Sequence, residues 1–127
     1  MSNRAVISTE AAPAAIGPYS QAIKVGNTVW ISGQIPLDPK TMTCVSGGIE
    51  TETQQVFANL SAIAEAAGGQ LNDAVKINSA VTDRGNFATV NGIMEQHFDE
   101  PYPARACVEV AALPKGVAVE IEAILSL

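Results

Sequence analysis

Two pairs of charged residues near the C-terminal end of the chain are spaced so that they could do chemistry. Arg105 is followed at alternate positions by Cys107 and Glu109, and Glu120 is followed by Glu122. In an extended chain, alternate residues share one side, so each set presents its functional groups together. Arg105 offers a forked, permanently charged donor that matches a carboxylate in two parallel hydrogen bonds. A glutamate nearby could shuttle a proton or orient a water molecule. Cys107 alone says little, because a small half-buried cysteine is more often inert than nucleophilic.

The residues between these positions define the elements that carry them. Ala106, Val108, Val110 and Ala112 alternate with the first set. Val117, Val119, Ile121, Ala123 and Leu125 alternate with the second. Two strands are predicted, Arg105 to Ala112 and Val117 to Leu125, joined by Leu113-Pro114-Lys115-Gly116. If they pair as a hairpin and bury both apolar faces against helices, Arg105 and Cys107 look to the same side as Glu120 and Glu122. A solvated face with weak surface ion pairs, a ligand pocket and a subunit interface all fit such a surface.

Further upstream the periodicities change. Ala5 to Ser8, Gln21 to Val25 and Thr28 to Gly33 are strand candidates, the last two turning at Gly26-Asn27. Ala12 to Ser20 is irregular, with Pro13, Gly17 and Pro18, and Ile35 to Gly48 is loop-like. Thr51 and Gln54 read as a capping box. The helix that follows has Val56, Leu60, Ile63, Ala64 and Ala67 on one face and ends at Gly68-Gly69. Asp73 to Thr82 reads as a strand. A second helix runs from about Phe87 to Phe98 with a stripe of Phe87, Val90, Met94 and Phe98. The order is that of an α+β fold, with two helices on one face of a mixed sheet.

Asn91 falls on the apolar stripe of the second helix. An amide there needs a partner, or it costs about 1–3 kcal/mol; a structural hydrogen bond to a loop and a polar group aimed into a site both satisfy that need. Tyr19, beside Gly17-Pro18, is usual packing material. Ser32-Gly33 ends a strand, where glycine can let a ligand approach the backbone. His97 is most simply a helix-surface residue.

The gross composition bounds the function. The chain has 127 residues, 47% hydrophobic and 16% charged, which suits one folded domain over 1–127. A net charge of −6 argues against a surface for nucleic acid. One histidine and two cysteines make a poor zinc site, and no nucleotide-binding loop is present. No signal peptide and no membrane span are expected, so the cytoplasm is the expected location.

Taken together, several segments resemble a known family. Ile16-Gly17-Pro18-Tyr19-Ser20-Gln21-Ala22 and Ser32-Gly33-Gln34-Ile35-Pro36 resemble the N-terminal signatures of the reactive intermediate deaminases, of the RidA or YjgF type. Asp83, Asn86-Phe87-Ala88 and Val90-Asn91 resemble the motif of its second helix. Pro103 to Val110 resembles the main signature, and Leu113 to Gly116 with Glu120 to Ala123 the closing one. The likeness runs from about Ile16 to Ile124. Ala80 departs from it, standing where a bulky aromatic is often found, and Ala106 stands where serine is common.

The resemblance implies a chorismate-mutase-like fold and a homotrimer with sites in the clefts between subunits. It implies hydrolysis of 2-imino acids, derived from 2-aminoacrylate and 2-aminocrotonate, to 2-oxo acids and ammonia. No cofactor or metal is implied. Arg105 would clamp the substrate carboxylate, and Glu120 would orient water or move its proton. Backbone groups around Ala106 and Cys107 would bind the imine nitrogen or the water, and Tyr19, Ser32, Gly33 and Asn91 would line the pocket. Two alternatives remain: a trimer that binds a small metabolite without turning it over, and an endoribonuclease-like inhibitor of translation.

Overall fold

The structure, a computed structural model, describes residues 3–127. Six strands form one sheet: β1 (Ala5–Ile7), β2 (Ala22–Val25), β3 (Thr28–Gln34), β4 (Ala74–Val81), β5 (Ala104–Glu109) and β6 (Val119–Ser126). Two helices, α1 (Ile49–Ala66) and α2 (Phe87–His97), complete an α+β fold. The strand order is β1-β2-β3-β6-β4-β5, with every pair antiparallel except β4 and β5.

Local chemistry explains most of these boundaries. Gly26 supplies the left-handed backbone (φ 58°) that lets β2 fold back on β3, and Val25 and Thr28 pair across the turn. Helix α1 buries Val56, Phe57, Leu60, Ile63 and Ala64. It closes on Gly68 (φ 93°), where Gly68 N–H donates to Glu65 O and Gly69 N–H to Ala64 O. That paired closure satisfies carbonyls the last turn would leave bare. The Lys24 ammonium donates to Ala67 O at 3.0 Å, a cation at the negative end of the helix.

The start of α1 differs from the sequence expectation. It begins at Ile49, behind Gly48, with no side-chain cap. Thr51 lies inside the first turn, and its hydroxyl donates back to Gly47 O. Gly47 and Gly48, both at positive φ, swing the chain into the helix, so the capping box is not needed.

Val29, Ile31, Ile77, Val81, Val119, Ile121, Ala123 and Leu125 form one core with α1 and α2. They belong to one face of the sheet, as the register shows: Val29 pairs with Leu125, Ile31 with Ala123, and Val81 with Val119. Among the described residues no helix packs on the opposite face. Val6, Trp30 and Val108 stand on it, 66%, 45% and 52% exposed.

The last two strands do not form a hairpin. β4 lies between them, parallel to β5 and antiparallel to β6. A parallel neighbour needs a crossover, and α2 supplies it between β4 and β5. The consequence is a reversal of the expected parity. Arg105 pairs with Ile77, Cys107 with Ser79 and Glu109 with Val81, so these three point to the helix-bearing face. Glu120 pairs with Ala80 and Glu122 with Asn78, on the open face. The expectation assumed that the apolar side of β5 faces the helices. β5 is an edge strand, and its apolar side, Ala106 and Val108, is the one left exposed.

Candidate functional site

The residues singled out from the sequence fall into two groups on opposite faces of the sheet. The first group surrounds a cavity of about 500 Å³ at one end of β3 and β6. Tyr19, Ser32, Gly33 and Glu120 all line it, with Glu122, Lys115, Ile16 and Ile35. Its wall is built by Gln21, which is buried and fully engaged. The Gln21 side-chain amide donates to Thr9 O, Ala12 O and Pro13 O, and its carbonyl accepts from Thr9 N–H. This fastens the irregular segment before β2 in place without regular structure.

Ser32 is tied into the same wall. Its hydroxyl donates to Ser20 O at 2.6 Å, and its N–H donates to Gln21 O at 3.0 Å. The hydroxyl proton is therefore committed, and the oxygen remains an acceptor. Gly33 has a steric reason to be glycine. A Cβ added there would lie 3.0 Å from Glu120 Oε1 and 3.2 Å from its Cγ. The Glu120 side chain thus lies directly over the Gly33 backbone.

Burial in this cavity pushes the Glu120 carboxyl above its ordinary pKa, and the neighbouring Glu122 carboxylate pushes it further in the same direction. Glu122 is itself held by the Asn78 amide, which donates to it at 3.0 Å. A carboxyl with a raised pKa beside a second carboxylate holds a proton more readily than a free one, which suits a group that exchanges protons.

The second group sits where α2 meets the edge strand. A smaller pocket of about 270 Å³ is lined by Asn91, Met94, Glu95, Tyr102, Pro103 and Arg105. Arg105 donates from Nη1 to the Asn91 side-chain carbonyl. Asn91 thus finds its partner in a strand arginine, not in a loop. Its other guanidinium donors make no further hydrogen bond among the described residues.

Ala106 and Cys107 line neither cavity. Ala106 is exposed on the open face, while Cys107 is half-buried on the helix-bearing face beside Ser79. Burial pushes the Cys107 thiol up, with Arg105 pulling it part of the way back. That favours the neutral thiol, which is a poor nucleophile. Glu109, from the same face, accepts from Arg84 N–H at 2.8 Å and anchors the turn into α2. His97 is not a plain surface residue. It stacks on Phe57 with ring centroids 4.9 Å apart, its Nε2 lies 2.9 Å from Gln54 Oε1, and burial lowers its pKa. Tyr102 lines the arginine pocket but carried no sequence signal beyond a loop position, and Lys115 lines the carboxylate cavity from the Leu113 to Gly116 segment, where the resemblance gave it no role.

These features define a small α+β protein with a carboxylate cavity on one sheet face and an arginine pocket on the other. Residues 9–126 match the family described as endoribonuclease L-PSP, and the chain belongs to that family. Its relatives are named in more than one way. The RutC family protein PH0854 of Pyrococcus horikoshii is 54% identical over 94% of each chain. The 2-iminobutanoate/2-iminopropanoate deaminase of Homo sapiens is 50% identical, covering 95% of this chain and 88% of its own. The crystal structure of RidA from an Antarctic Psychrobacter is 56% identical and superposes with a TM-score of 0.93, covering 97% of this chain and 99% of that one.

Proposed function

We propose that this chain is a cytosolic, single-domain enamine/imine deaminase that hydrolyses short 2-imino acids to 2-oxo acids and ammonia. The observation that carries the reading is Glu120, half-buried over Gly33 with its pKa raised, in a cavity that also holds Ser32 and Tyr19. The names of relatives near half identity support the same chemistry.

The two groups of residues then act together only if a second copy of the chain brings Arg105 to the Glu120 cavity. A homotrimer of chorismate-mutase-like architecture, packed through the open sheet face, does this. Trp30 and Val108, exposed on that face, are covered by such packing. Val108→Glu is expected to convert the trimer to monomer, read by light scattering, with turnover lost.

In the assembled cleft Arg105 clamps the substrate carboxylate, with Asn91 holding the guanidinium from behind. Glu120 takes a proton from the attacking water as its oxygen bonds to the imine carbon. That proton passes to nitrogen, giving a carbinolamine. The carbinol hydroxyl then gives up its proton, again by way of Glu120, to the amine; the C–O double bond forms as the C–N bond breaks, and ammonia leaves with the 2-oxo acid behind. β5 is a sheet edge, and the Val110 N–H donates inward to Val81 O, so by alternation the Cys107 N–H lies on the outer side, open to the imine nitrogen or the water, while that of Ala106 turns to β4. No cofactor enters this scheme, since the imine is already electrophilic.

A coupled assay tests it. 2-Aminoacrylate is generated from serine by a dehydratase, and pyruvate formation is followed with and without the protein. Acceleration is expected, and its absence sinks the deaminase reading. RNA cleavage fits less well, because 13 acidic side chains outnumber 7 basic ones.

A further inference from the structure

Lys115 stands out among the residues around the Glu120 cavity. The lining carries two carboxylates, Glu120 and Glu122, and a single basic side chain, Lys115. The whole chain has a net charge of −6. Within one copy of the chain, an anionic 2-imino acid approaching this cavity therefore finds one attracting charge in the lining, that of Lys115.

The backbone holds Lys115 in a costly conformation. Its φ of 57° and ψ of 20° are left-handed, and Gly116 follows at φ 69°. Glycine is at ease in that region, whereas a residue with a Cβ is held there at a cost of about 1 kcal/mol or more. The turn is fixed by Gly116 N–H donating to Leu113 O and Val117 N–H to Pro114 O. Those bonds place the lysine stem at the cavity mouth. Its ammonium makes no ion pair or hydrogen bond among the described residues. Lys115 is exposed, so its ammonium is solvated and free to meet a ligand, and no packing contact accounts for the left-handed backbone.

We propose that Lys115 is the binding residue that draws the substrate carboxylate into the Glu120 cavity and holds it on entry. The inference rests on the deaminase reading and adds to it a second cation besides Arg105. The ligand class is small 2-imino and 2-oxo monocarboxylates. An exposed ammonium on a flexible stem acts on such ligands mainly as a point charge.

Lys115→Gly suits the test, because glycine takes the left-handed backbone without strain and the fold is kept. The dehydratase-coupled assay is run from low salt to about 0.5 M, with Lys115→Glu alongside. Binding of 2-oxobutanoate is measured in parallel by calorimetry. At low salt, K115G should lower kcat/KM about tenfold, mostly through KM, and K115E should lower it further. The wild-type advantage should shrink as salt rises, and the affinity for 2-oxobutanoate should fall in step. A K115G protein with wild-type kcat/KM overturns the proposal, as does a loss confined to kcat. If the wild type does not turn over, the deaminase reading falls by itself. The lysine is then judged on 2-oxobutanoate alone, and no binding, or equal binding by K115G, overturns it.

Discussion

The Arg105 guanidinium on β5 donates to the Asn91 side chain on α2, so a helix aims the one arginine that the edge strand offers. The neutral amide matters here. Asn91→Asp would place a carboxylate against Arg105 and compete with the substrate for its charge. A KM at least about tenfold higher is expected, from a lost charge-assisted hydrogen bond of about 1.5–3 kcal/mol, with a smaller effect on kcat. Steady-state kinetics across a substrate range checks this. An unchanged KM would mean that Asn91 does not act through the arginine.

Arg105 and Glu120 point to opposite faces of the same sheet. Neither Arg105→Ala nor Glu120→Gln alone should turn over. Refolding the two variants as a mixture should restore about a quarter of the wild-type rate, since a random pairing gives one intact site in four. Recovery near zero would place both residues in one subunit's site, or neither in the site.

A Cβ at Gly33 would press on the Glu120 side chain, 3.0 Å from its Oε1 and 3.2 Å from its Cγ, so the carboxyl would have to give by a few tenths of an ångström. Gly33→Ala should displace the Glu120 carboxyl and lower kcat by about 10- to 100-fold, the scale of a misplaced proton-transfer group. Circular dichroism and the melting temperature should stay close to wild type, because the residue is exposed. A full-rate G33A protein would show that the position of the carboxyl is unimportant.

Burial and Glu122 both raise the Glu120 pKa. If the carboxylate is the acting form, kcat should rise with pH through a midpoint above the ordinary carboxylate value. Glu122→Gln removes the second cause, so the midpoint should move down, and a midpoint that stays put would exclude Glu122 as a tuning group. The sign for stability is the reverse. A raised folded pKa favours the folded state at low pH, and that contribution is lost as pH rises through the folded value. Thermal melts of Glu120→Gln against wild type should therefore show the wild type losing ground as pH increases across that window.

Much of this could be read along the chain. The 3.6-residue stripe of Val56, Leu60 and Ile63 marked α1, and Gly68 marked its end, because both signals are local. Asn91 stood out as a polar residue on an apolar stripe, and its partner turned out to be Arg105. Ser32, Gly33, Tyr19 and Glu120 were singled out separately and come together in one cavity. Alternation fixed which residues of β5 and β6 share a side, since that depends only on the period of two.

Which side faces which was a matter for tertiary structure. An apolar alternate row predicts a buried face only if the strand is covered there, and on the edge strand β5 that row is Ala106 and exposed Val108. The insertion of β4 between β5 and β6 is a long-range pairing that no local pattern encodes. It set Arg105 and Glu120 on opposite faces, because side chains paired across a ladder must point the same way. The sequence by itself determined the chemistry available, a guanidinium, a carboxyl and a glycine-floored wall. Only the order of strands in the sheet decided that one copy of the chain keeps the arginine apart from the carboxyl.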